Sequence, residues 1–196
     1  MKDSQASPSP ADRLRGSPWR ATISLAALSG LAQWGGPMHL RLQTNVAGYE
    51  PWRLVTAHFV HLTPQHAGLN LAVFALFTVI LAELRRPRLL LSCGLISALS
   101  VDAGVLALHA EVEWYVGFSG VLYGLLTAGA LAELPHHRAL GVVVLVGLLI
   151  KLTADFAWGT PATTEAFVGG PVLALAHVYG ALGGALAGLW FARQRW

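Results

Sequence analysis

The chain has 196 residues, 55% hydrophobic and 12% charged, with a formal net charge of +3 and a pI near 9.4. The charged share is about half that of a soluble domain, which suits an integral membrane protein of a single domain. The basic residues fall in short clusters between apolar runs, a topology signal and not a nucleic-acid surface. The lone Cys93 excludes an internal disulfide and a cysteine-built metal site.

Residues 1–18 are rich in Ser, Pro and Arg and read as a flexible cytoplasmic tail, leaving 19–196 as the membrane domain. The tail is too long and polar for a signal-peptide start, and no small-residue cleavage site follows Leu31. Six apolar segments then follow, each near the ~17–25 residues that cross a bilayer. They are Trp19–Trp34, Pro64–Leu84, Leu89–Ala110, Gly117–Leu134, Leu140–Trp158 and Pro171–Phe191. The tail, the loops after segments two and four, and the C-terminus hold ten Lys and Arg; the opposite side holds three, Arg41, Arg53 and Lys151. By the positive-inside rule both termini are cytoplasmic.

Segment two opens with HFVHLTPQHAGLNL, which supplies His58, His61, His66 and Asn70. His66 and Asn70 are one helical turn apart and share a face. The three histidines invite a metal reading, but the HExxH pattern is missing and no carboxylate lies in the cluster. Acyl transfer uses them better, because an Asn amide or a His N–H serves as an oxyanion donor. An idle Asn in lipid would be costly. His58 and His61 read as structural residues lining the loop. Segment three carries Asp102, expensive in a membrane unless paired or hydrated. A structural hydrogen-bonding role is its leading reading, with a third catalytic member as the alternative.

Segment four begins in WYVGFSGVLYG, with Ser119 between Gly117 and Gly120. From Ser119 to Glu133 is about 22 Å of helix at ~1.5 Å per residue, against a hydrocarbon core of ~30 Å. The helix therefore starts below the outer surface, preceded by non-helical chain over 111–118. Irregular backbone survives at that depth only where protein buries it or water reaches it. A recessed, hydrated cavity with Ser119 at its floor is the expectation. Segment five offers Lys151 and Asp155 at i and i+4, a spacing for a pair on the helix surface.

Segment six, LALAHVYGALGGALAGLW, places His177 near its outer end, at the depth of Ser119. Gly180, Gly184 and Gly188 follow at four-residue spacing, and segment four has Gly120 and Gly124. Small residues at this period let helix backbones approach. Contact between the two segments would give Ser119 the base that a serine nucleophile needs. Taken alone, the ladder is equally ordinary membrane packing, with His177 bonding a carbonyl.

Together, GFSG with its following tyrosine, HxxxN on segment two and HxxxG on segment six resemble the rhomboid family of intramembrane serine proteases. Trp52-Arg53 and Glu83-Leu84-Arg85 extend the likeness, which covers segments two to six. The resemblance implies an all-α, six-helix membrane bundle and proteolysis by a Ser–His dyad, without a cofactor or metal. It implies Ser119 as nucleophile and His177 as general base and acid. His66, Asn70 and the Ser119 N–H would form the oxyanion hole, Tyr123 would stack on His177, and Gly117 would leave room for chain and substrate.

The stretches WRLVTAHFVHLTPQHAGLNL and EVEWYVGFSGVLYG, with the Lys151–Asp155 region, are similar to the bacterial rhombosortase subgroup. That implies an inner-membrane enzyme open to the extracytoplasmic side, acting on single-span proteins with C-terminal Gly-Gly sorting tails. Two other classes compete: an inactive rhomboid-like protein that binds membrane clients, and a haem- or metal-binding membrane protein using the histidines.

Overall fold

The computed structural model describes residues 18–109 and 111–193. The proposed tail, residues 1–17 of it, and Ala110 at the end of segment three lie outside the described residues. The chain runs α1 (Pro18–Trp34), α2 (Pro37–Leu40), β1 (Leu42–Gln43), α3 (Arg53–Thr56) and α4 (Pro64–Ile80). A 3-10 turn (Ala82–Arg85) leads to α5 (Pro87–Leu108), β2 (Trp114–Tyr115) and α6 (Ser119–Glu133). Then come α7 (Arg138–Trp158), α8 (Ala162–Val168) and α9 (Ala174–Arg193).

Prolines at the first turn of α4 and α5 start those helices without losing a hydrogen bond. At α4 the Thr63 hydroxyl also accepts from the His66 N–H (3.2 Å), a cap worth ~1 kcal/mol. Three described helices, Pro87–Leu108, Arg138–Trp158 and Ala174–Phe191, are long and apolar enough to cross a membrane, and α4 is a shorter apolar helix. This is a multi-pass membrane protein.

The apolar segments expected from the sequence fall on α1, α4, α5, α6, α7 and α9, with differences at their ends. Segment two stops at Ile80, because Ala82–Arg85 tightens into a 3-10 turn that buries Glu83 and Leu84. There the Glu83 N–H donates to the buried Glu133 carboxylate (2.9 Å), and Glu83 pairs with Arg86 (3.1 Å). Segment six turns helical only at Ala174, after the Val172 N–H has been taken by the Glu165 carboxylate (3.1 Å).

Helix α6 is the core: of its 15 residues, twelve are buried. Helices α5 and α9 flank it so closely that side chains are excluded. A β-carbon on Gly180 would lie 1.8 Å from the Gly120 carbonyl oxygen, and one on Gly184 2.0 Å from that of Gly124. One on Gly104 of α5 would lie 2.2 Å from the Tyr179 ring of α9. Helix α7, by contrast, buries only Gly141 and Asp155.

A segment before α4 folds over one end of the bundle. The strands β1 and β2 pair antiparallel, Leu42 with Tyr115 and Gln43 with Trp114. Arg53, buried, ties the segment together by donating to the carbonyls of Met38 (3.1 Å) and Arg41 (2.8 Å) and pairing with Glu50.

The crossing has a direct test. Gly184→Ala must push α6 and α9 apart and is expected to cost on the order of 1–3 kcal/mol, as overpacking does. Gly147→Ala on α7, where a β-carbon meets nothing within 4 Å, is expected to be neutral or to stabilise by up to ~1 kcal/mol. Thermal unfolding in detergent reads both; equal midpoints would refute the close crossing.

Candidate active site

The α6–α9 crossing carries two polar groups at one end. Ser119 is the first residue of α6, and His177 lies in the first turn of α9. Its Nε2 stands 3.0 Å from the Ser119 Oγ. With the hydroxyl donating, Nε2 is the acceptor and the neutral ring carries its proton on Nδ1. Nδ1 has no protein hydrogen-bond partner among the described residues. The Tyr123 ring, one turn along α6 from Ser119, stacks on the imidazole at 4.3 Å between centroids and 12° between planes. The tyrosine fixes the plane of the ring and the serine its edge.

His66 and Asn70 come from α4 and are both buried. The Leu62 N–H points at His66 Nδ1 (3.4 Å), which assigns the ring proton to Nε2. That edge faces Gly117: a β-carbon there would sit 3.1 Å from Cε1 and 3.3 Å from Nε2 of His66, and 3.9 Å from the Ser119 Oγ. The Asn70 amide nitrogen is buried with no protein acceptor among the described residues. The start of α6 adds backbone N–H groups that have no partner within the helix, and a dipole favouring negative charge. Three kinds of donor thus meet in the cavity that Ser119 lines.

Gly117 has φ +119°, a conformation that L side chains rarely adopt. Its N–H donates to the Ala57 carbonyl (3.0 Å), and its own carbonyl accepts from the Tyr115 hydroxyl (3.1 Å). Burial and the nearby Asp102 carboxylate push the Tyr115 phenol up, so it stays an O–H donor. His61 Nδ1 donates to the Phe59 carbonyl (3.1 Å), and the ring meets His66 edge-on at 5.0 Å. Burial and the neighbouring His66 push His61 down to about 4, which keeps it uncharged at neutral pH.

Two cavities meet at these residues. One, of about 500 Å³, is mostly apolar and opens between α4, α6 and α7, with Ser119, His177, His66 and Asn70 in its wall. The other, of about 370 Å³, shares Ser119 and His66 but is walled by Val112–Val116 and Pro171–Leu173. Ser119 is thus reached from the helix side and from the loop side.

The structure therefore brings together all six residues singled out for the site: Ser119, His177, His66, Asn70, Gly117 and Tyr123. Asp102 is not beside His177. It lies 3.3 Å from His58 Nε2, both buried, at ion-pair distance though not aligned for a hydrogen bond. Lys151 and Asp155 do pair, but only the lysine is at the surface: both line the larger cavity and Asp155 is buried. The sequence reading missed Tyr115 and the backbone of Ala57 and Leu62. Only the place of Tyr115, two residues before Gly117, hinted at its part.

Ser119 is expected to be the residue that a fluorophosphonate probe labels in the folded protein. His177→Ala should reduce labelling to the level of Ser119→Ala, as read by gel fluorescence and peptide mapping. Equal labelling of His177→Ala and the unaltered chain would mean that the ring does not activate the hydroxyl.

Among known families, the Rhomboid domain matches residues 48–194, well over half the chain. No curated protein gave a significant match.

Proposed function

The chain belongs to the rhomboid family, and on that premise we propose that it is an active intramembrane serine protease of the rhombosortase kind. The observation that carries the reading is the 3.0 Å approach of His177 Nε2 to Ser119 Oγ inside a membrane bundle. In this reading Ser119 attacks the scissile carbonyl and His177 takes its proton. The tetrahedral oxyanion collects hydrogen bonds from Asn70, His66 and the Ser119 N–H, with Gly117 leaving space beside them. Tyr123 keeps the ring in plane. No cofactor is required. An inactive client-binding role is less favoured, because a binder has no use for this complete set.

The proposed topology has six spans, α1, α4, α5, α6, α7 and α9, in a membrane domain over 19–196, with residues 1–18 as a cytoplasmic tail. Both termini are cytoplasmic, in keeping with the ten-to-three distribution of Lys and Arg. Ser119 then opens to the extracytoplasmic side of a bacterial inner membrane. At 15 residues, ~22 Å, α6 falls short of the ~30 Å hydrocarbon core, which supports a recessed nucleophile.

A recessed nucleophile constrains the substrate. The scissile carbonyl of an intact helix is engaged in hydrogen bonding, so the helix must unwind at its outer end. Glycine weakens a helix by ~1 kcal/mol relative to Ala, and a Gly-Gly pair concentrates that weakness. The proposed substrates are single-span proteins with C-terminal Gly-Gly sorting tails, cut near that pair.

Two outcomes test the proposal. Co-expressed with a reporter bearing such a tail, the protein is expected to release a product whose new C-terminus lies beside the glycines. Leu in place of both glycines should strongly reduce cutting, and equal cutting would overturn the substrate assignment. Ser119→Ala, His177→Ala and the double variant should be equally inactive, since the pair acts as a unit. The pair Asn70→Ala with His66→Ala should lose ~10²–10³ in rate, and either alone less; an unchanged rate for the pair would remove them from the oxyanion hole.

A further inference from the structure

The larger cavity holds an ion pair that the Ser–His mechanism does not use. Lys151 and Asp155 stand one turn apart on α7 and bond to each other. A pair that merely decorated a helix would leave both ends in the open. Here the Lys151 side chain is 49% exposed and that of Asp155 only 4%. Asp155 is also one of just two buried residues on α7, more buried than Val144 and Leu148, which pack against the core, while Val142, Val146 and Leu149 face outward. A buried carboxylate inside a membrane protein is costly, and such groups mark function more often than packing.

Asp155 shares a cavity with Ser119 and His177. Lys151 and Tyr123 line it too, and the two α7 charges lie within electrostatic reach of the His177 ring. The other titratable groups around that ring are His66 on α4 and Tyr123 on α6. On the α5 side the carboxylate is Asp102, which is turned to His58. Asp155 is therefore the negative group available to His177. The ring itself is 6% exposed, and its Nδ1 has no protein partner among the described residues.

We propose that Asp155 is a positioning residue for His177, holding a negative charge in the cavity that stabilises the ring when it becomes positive. The inference rests on the proteolytic reading above. As the Ser119 Oγ–carbon bond forms, the hydroxyl proton passes to His177 Nε2 and the carbonyl electron pair moves onto oxygen. When the carbon–nitrogen bond breaks, the same proton goes to the leaving amine nitrogen. Between the two transfers the ring is an imidazolium in an apolar cavity, where a fixed counter-charge is worth more than in water. Asp155 neither gives nor takes a proton. Lys151 holds the carboxylate in place, and its half-exposed ammonium is the part of the pair that reaches out of the cavity.

Kinetics on the Gly-Gly reporter in detergent decide the matter. Asp155→Asn is expected to lower kcat about tenfold with KM within about twofold. The acid limb of its kcat/KM profile should move about one pH unit lower, since an opposite charge nearby favours protonated histidine. Asp155→Glu should recover most of kcat and return the limb. Lys151→Gln removes the opposing positive charge and should move the limb upward; it also carries the test should Asp155→Asn not fold. A limb that stays in place in the folded variants would overturn the proposal even if kcat falls, because a purely structural loss does not displace it. Ser119→Ala separates the two failures. If it cleaves at the unaltered rate, the proteolytic reading falls; if it is inactive while Asp155→Asn keeps rate and limb, only the role of Asp155 falls.

Discussion

Everything in this molecule hangs on how closely α6 and α9 cross. Lipid tails are as apolar as leucine, so no hydrophobic drive holds membrane helices together, and van der Waals contact must serve instead. Gly120 and Gly124 meet Gly180 and Gly184 backbone to backbone, at distances that admit no β-carbon. The crossing is also the positioning device. Ser119 precedes Gly120, and His177 stands one turn before Gly180, so the register that seats the glycines sets the Oγ–Nε2 distance at 3.0 Å. The helix packing and the Ser119–His177 approach share one contact, and neither can be adjusted alone.

Ser119 needs a second restraint, because the first residue of a helix frays without one. It comes from the loop side. Gly117 is held by the Ala57 carbonyl through its N–H and by the Tyr115 hydroxyl through its carbonyl. Tyr115 is itself fixed by pairing with Leu42 across the small ladder. Behind it, the His58–Asp102 pair links the segment before α4 to α5, and His58 meets the Tyr115 ring edge-on at 6.0 Å. Asp102 sits in the membrane region for this structural reason, and it reaches the serine only through a chain of neighbours.

Much of this was legible in the residues, and the legible parts share a cause. A bilayer forces apolar runs of a given length into helices, so α5, α7 and α9 could be drawn from hydropathy alone. Ser119 and His177 could be matched because glycine spacing marks a contact face and depth can be counted along a helix. The segment over 36–62 carried no such signal. Its four-residue helices and two-residue strand are held by distant partners: the carbonyls that Arg53 and Thr56 reach, and the β2 strand that pairs with β1. The Lys151–Asp155 pair shows a different limit. Spacing at i and i+4 announces that two side chains meet, but not whether they face lipid or a cavity, since that depends on how α7 is rotated against its neighbours.

The rotation of α7 has an energetic logic of its own. This helix buries few residues, and it comes close to α6 at Gly141, where a β-carbon would lie 2.7 Å from the Ala130 carbonyl oxygen. That contact is near the start of α7, while Asp155 is near its end. Moving an ion from water into a dry interior costs several kcal/mol, and attraction to a partner repays this only at close range. Asp155 meets the condition through Lys151, whose long stem can lie along the apolar helix while its ammonium reaches a wetter region. The pair thus makes the inward rotation of α7 tolerable, and that rotation puts a carboxylate into the cavity that His177 also lines. Truncating Lys151 and truncating Asp155 are therefore unlike events: the first strands a buried carboxylate in the cavity, and the second leaves a half-exposed lysine that water can satisfy.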